Sequence, residues 1–167
     1  MTDWYTFVHN TDKQIWEGVV KMLQKHWVKI FFSGIIAGLV LSFSFKLIEQ
    51  WKAVKVYTLL LNVDYIPFLN RFTYPESVEV GFHLLVSVFV SLVLFLLLRE
   101  IRTSYHKLIV SMVVSLLIGA AYYPMTVLSE RTPQLTDLAA LLYWLAGHAV
   151  FGLLLGWMLA DRKSPSR

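Results

Sequence analysis

The sequence predicts an all-α integral membrane protein, a four-transmembrane-helix antiparallel bundle with an N-terminal amphipathic interfacial helix. Three observations predict it. Of the 167 residues, 57% are hydrophobic and only 16% charged, where a soluble domain carries about 25% charged residues. Three stretches free of Asp, Glu, Lys and Arg, at 80–98, 108–128 and 138–160, are long enough for about 30 Å of hydrocarbon. A fourth, 30–45, reaches that length if Lys29 and Lys46 extend their ammonium groups to the two interfaces. Finally, with the N-terminus inside, the inner segments hold ten of the Lys and Arg residues and the outer ones five. That asymmetry puts both ends in the cytoplasm and predicts a multi-pass membrane protein.

The first element is expected over 11–28, "TDKQIWEGVVKMLQKHWV". Thr11 and Gln14 have capping-box spacing, and Ile15, Val19, Met22 and Leu23 recur at helical period. Lys13, Glu17, Lys21 and Lys25 form the other face. Such a helix lies on an anionic leaflet with Trp16 and Trp27 at headgroup level, or else serves only as a solvated leader that orients the first span. The first span follows at 30–49. It leads into "KLIEQWK" rather than a small-residue cleavage site, so it is expected to stay in place rather than act as a cleaved signal.

The connection 50–75 is long, so it is expected to hold structure, either a short amphipathic helix or a lid over the bundle mouth. Trp51, Tyr57, Tyr65, Phe68, Phe72 and Tyr74 give it an aromatic band, and Asp64 with Pro67 prevents a fifth span. Thr73 and Glu76 have capping-box spacing, with Pro75 suited to a first helical turn, so the second span is placed at 76–98. The third and fourth spans, 108–128 and 138–160, are joined to their neighbours by connections short enough to force antiparallel packing. Each span carries small residues four apart: Gly34 and Gly38; Ser87 and Ser91; Ser111, Ser115 and Gly119; Gly152 and Gly156. In lipid such stripes bring helices together, within the bundle or in a homo-oligomer.

Threading by depth gathers the polar residues in the outer half: Lys46 and Glu49 on the first span, Glu79 and His83 on the second, Tyr122 and Tyr123 on the third, His148 on the fourth. Ionisable groups at that depth are costly unless they face a partner or water, so these seven are the candidate binding residues of an outward-facing vestibule. Pro124 releases the carbonyl of Ala120 and predicts a kink. For His148 two readings stay open. It is a neutral imidazole bonded across helices, or a titratable group, paired with Glu49 or Glu79, whose charge follows external pH. Haem ligation by His83 and His148 fits less well, because threading separates them by roughly 5–7 Å of depth.

The chain contains no cysteine, which removes thiolate ligands and a thiol nucleophile. No GxSxG, Walker, HExxH or dinucleotide fingerprint is present. No enzyme, metal or cofactor is expected, and the cations flank spans rather than line a groove for nucleic acid. The expected function is proton or small-solute handling or pH-dependent sensing. The alternative is a structural or assembly subunit that docks a larger membrane partner through its small-residue stripes.

The arrangement resembles the YagU-like family of small bacterial inner-membrane proteins. "GIIAG" at 34–38 with Lys46 and Glu49, "HLLVSVF" at 83–89, "YYPMTVL" at 122–128 and the Gly147–His148 pair carry the resemblance. The chain departs from that pattern in its shorter connection between the first two spans and in having Tyr122 and Tyr123 where a further histidine is expected. The resemblance implies a four-helix membrane protein and no particular activity.

Overall fold

The computed structural model describes residues 2–64, 66, 69–129 and 131–160, with side chains from Trp16 onward except that of Asn70. The expectations for the side chains of Thr11, Lys13, Gln14 and Ile15, for Tyr65, Pro67 and Phe68, and for the inner cations of 161–167 lie outside the described residues. Those residues form helices and no strand: α1 (Thr2–Lys52), α2 (Val56–Leu61), a 3-10 turn (Leu69–Arg71), α3 (Glu76–Leu98), α4 (Ser104–Gly119), α5 (Tyr122–Val127) and α6 (Leu138–Leu159). Four helical stretches are long and apolar enough to cross a membrane: α1 from Trp16, α3, α4 with α5, and α6.

The segment expected as a separate interfacial helix is part of α1, which neither starts at Thr11 nor breaks before Ile30. Its apolar side meets protein. Met22 and Leu23 pack on the core, and the His26 ring lies 5.3 Å from Phe95 on α3. Those contacts extend the helix pair toward the end of α3, while Trp16 and Trp27 remain exposed. α1 ends where Ala53 takes a left-handed conformation, φ 56°, and donates its amide to the Glu49 carbonyl. Glycine is the usual occupant of such a terminating position, since a Cβ crowds the carbonyl there.

Small residues decide which helices meet. α1 lies between α3 and α6, and α6 lies between α1 and α4, while α3 and α4 barely touch. A Cβ on Gly34 would stand 2.6 Å from the Cα of Val88, and one on Gly38 would stand 2.7 Å from Ser87 Oγ. Likewise a Cβ on Gly152 would meet Ser115 Cβ at 2.6 Å, and one on Gly156 would meet Ser111 Oγ at 2.8 Å. Each stripe is therefore buried against another stripe of the same chain. Hydrogen bonds reinforce the fit: Ser91 Oγ donates to the Ile30 carbonyl at 2.8 Å, and Lys29 Nζ donates to the Leu159 carbonyl at 2.9 Å and that of Ala160 at 3.3 Å. A cation on the last carbonyls of α6 complements the negative end of that helix.

The third span is interrupted, at Ala120 and Ala121, before Pro124 is reached. Leaving the carbonyl of Gly119 open in an apolar interior is expensive, and the indole of Trp144 satisfies it, with Nε1 donating at 2.8 Å. Pro124 then sits in the first turn of α5, where a missing amide hydrogen does no harm. At the start of α3, Pro75 occupies the N-cap and no side chain caps the helix. Thr73 and Glu76 do not form the expected box, because the Glu76 carboxylate is held by Lys46 and Tyr57. α6 has a side-chain cap: Asp137 accepts the Ala140 amide at 3.0 Å.

Candidate functional site

At the end of the bundle where α1 finishes and α3 begins, a cavity of about 340 Å³ separates α3 from α5 and α6. Its wall is mostly apolar. α2 and the segment after it roof it, with Leu61, Val63, Ile66 and Leu69. Glu79, His83 and Ser87 line it from α3, and Trp144 and His148 from α6.

His148 is buried, 5% exposed. Its Nδ1 lies 2.9 Å from the Trp144 carbonyl one turn earlier. A carbonyl only accepts, so Nδ1 carries the proton of the neutral ring and Nε2 is left with a lone pair. The Trp144 ring lies tilted against it at 4.5 Å and Phe45 stands at 6.2 Å, fixing the ring from two sides. Gly119 makes this possible, since a Cβ there would come within 3.3 Å of the His148 side chain. One break in α4 thus seats Trp144 and gives His148 its room.

His83 contributes the second imidazole. Ser87 Oγ lies 3.3 Å from its Nε2 and donates to the His83 carbonyl at 3.0 Å. A serine bonded back into its own helix turn is not an activated nucleophile, despite the nearby imidazole. Among the described residues no group of three or more His, Asp or Glu side chains could hold a metal ion. What the cavity does offer is one imidazole lone pair, a second imidazole and a carboxylate, set in an apolar wall.

No family model, no curated protein and no solved structure matches this chain. Its site must be read from its own geometry.

The seven expected residues divide among three places. Glu79, His83 and His148 share the cavity. Lys46 and Glu49 instead hold the roof segment. Lys46 Nζ donates to Glu76 Oε1 at 2.5 Å and lies 5.4 Å from the centre of the Tyr57 ring, whose hydroxyl donates to the same Glu76 oxygen at 2.6 Å. Burial, and next the hydrogen bond to Glu76, pushes the Tyr57 phenol above its usual range, so it stays a donor. Glu49 accepts from the Thr58 amide at 2.8 Å and the Thr58 hydroxyl at 2.6 Å, anchoring the first turn of α2 to the end of α1. It is not paired with His148.

Tyr122 and Tyr123 stand apart from the cavity. The Tyr122 ring is fully buried, with its hydroxyl 3.3 Å from both the Gln134 and Asp137 carbonyls, so it ties α5 to the start of α6. Tyr123 is 50% exposed. Three contributors were not anticipated. Trp144 orients His148, Asn62 donates to Ser129 at 2.7 Å, and Ser129 donates to Asp64 at 3.0 Å, latching the roof to the 129–132 turn. The sequence held one usable sign, a tryptophan one turn before a buried histidine, since a buried indole N–H needs an acceptor.

Proposed function

We propose that the chain is an antiparallel four-helix bundle of the bacterial cytoplasmic membrane, with both ends inside, and that the cavity around His148 is an outward-facing small-solute site whose occupancy responds to protonation. The observation that carries this reading is the convergence of two imidazoles and a carboxylate, from the two helices α3 and α6, on one cavity. Residue pairs support the antiparallel arrangement: Ile30 with Ser91 and Gly34 with Val88 run in opposite directions along α1 and α3, as do Lys29 with Leu159 and Phe45 with Trp144 along α1 and α6. The ten-to-five distribution of cations supports the orientation. The motifs shared with the YagU-like family favour the same four-helix architecture.

The groups that face His148 across the cavity are His83 and Glu79, both from α3. The lining residues of α1, α4, α5 and the roof bring no further titratable side chain. Protonation of His148 fills the Nε2 lone pair and adds a charge beside His83, which changes what the cavity can hold. An assembly subunit docking through the small-residue stripes is not favoured, because those stripes are buried against one another.

Trp144 supplies a reporter. In a variant whose other five tryptophans are phenylalanine, imidazolium formation 4.5 Å away should quench its emission as external pH falls from about 8 to about 5. His148→Leu should abolish that change. An emission that is flat with pH in both proteins contradicts the proposal.

A further inference from the structure

The cavity has a side as well as a roof. α3 and α4 barely touch, because α3 is held by α1 and α4 by α6. Leu85 and Val86 on α3 and Ile118 on α4 line the cavity and are at the same time 69%, 55% and 37% exposed. They mark a mouth well inside the apolar length of both spans, where a membrane bundle meets acyl chains. A ligand that uses this mouth arrives from lipid, not from water.

The polar groups within specify the other end of that ligand. His148 presents a lone pair at Nε2, since Nδ1 is committed to the Trp144 carbonyl. The Glu79 carboxylate is half-buried on the wall, and among the described residues no Lys or Arg pairs with it. Lys46, a cation two turns before the end of α1, is engaged by Glu76. The Asn62 amide is directed to Ser129, and His83 Nε2 faces Ser87. The cavity therefore offers acceptors and negative charge, with apolar walls of Phe82, Val90 and Phe151.

We propose that this cavity binds a lipophilic amine in its ammonium form, which enters from the bilayer between α3 and α4. Its apolar tail packs on the walls and its N–H donors turn toward Glu79 and His148. A donor-bearing cation complements both acceptors, whereas an anion would meet the Glu79 carboxylate. This assignment rests on reading the cavity as a solute site.

The test is calorimetric titration of the full chain in lipid nanodiscs with octylamine, octanol and octyltrimethylammonium, with empty nanodiscs subtracted. Octylamine should bind saturably. Octanol, which lacks the charge, and octyltrimethylammonium, which lacks the N–H, should each bind about tenfold more weakly. Glu79→Gln should weaken octylamine about tenfold and leave octanol unchanged. Ile118→Trp should close the mouth and abolish octylamine binding, while Gly81→Ala, where a Cβ meets nothing within 4 Å, should bind as the native chain does. Octanol binding as tightly as octylamine, with no effect of Glu79→Gln, would overturn the ammonium assignment while leaving a solute site in place. Failure of all three probes to bind above empty nanodiscs would overturn the assignment and the solute reading together.

Discussion

Replacing Gly152 by alanine tests the packing on which the cavity depends. A Cβ at this position of α6 would stand 2.5 Å from the Ser111 carbonyl oxygen and 2.9 Å from Met112 Cα, both backbone atoms of α4 that cannot swing aside. Ordinary contact begins at 3.4 Å, so α4 and α6 must part locally by about 0.9 Å. Overpacking against atoms that cannot yield costs up to about 3 kcal/mol. Alanine recovers about 1 kcal/mol through its better helix propensity, leaving a net loss of about 2 kcal/mol. Unfolding by sodium dodecyl sulfate from mild detergent, followed by far-ultraviolet circular dichroism, measures it. Gly81→Ala, in open space, should be unchanged or stabilised by up to about 1 kcal/mol. If Gly152→Ala behaves like Gly81→Ala, the α4–α6 contact is not the close backbone approach described here.

Three further changes probe the parts that build the site. Trp144→Phe removes the donor on the Gly119 carbonyl and should destabilise the bundle by about 1–3 kcal/mol in the same assay, with the largest loss of amide protection at 119–121. Glu49→Gln weakens the anchor on Thr58, and hydrogen exchange should accelerate over α2 while α3 and α6 stay protected. Ala53→Gly relieves the left-handed strain at the end of α1, and should raise stability by up to about 1 kcal/mol and never lower it.

The apolar lengths of α3 and α6 were legible because hydropathy reports span length directly. That Glu79, His83 and His148 fall toward one end of the bundle was legible for a related reason, since residue count along a span converts to distance along its axis. Direction was not. Tyr122 lies at the expected height, yet a step of one residue turns a helical side chain by about 100°, so Tyr122 is buried and Tyr123 exposed, and neither lines the cavity. Pro124 signalled the break at Ala120 and Ala121, since it has no amide hydrogen for the Ala120 carbonyl, but not the Trp144 indole that satisfies the Gly119 carbonyl from a neighbouring helix. No local pattern encodes that partner. Glu49 and Lys46 were recognised as polar and outer, while their partners Thr58 and Glu76 became visible only once the 50–75 connection was folded back onto α1. The helical period of Met22 and Leu23 was read correctly, but an apolar stripe fits a protein neighbour as well as a lipid surface.

The most direct measurement uses the absence of cysteine in the chain. A single thiol at position 148, in His148→Cys, should be labelled by a charged, membrane-impermeant thiol reagent added outside intact cells or oriented vesicles, because position 148 lines the cavity that we propose faces outward. A thiol at 150, in Val150→Cys, lies on the exposed apolar face of the same helix and should stay unlabelled. Equal protection of both thiols until detergent is added would contradict the account, for it would mean that the buried imidazole meets no water from outside.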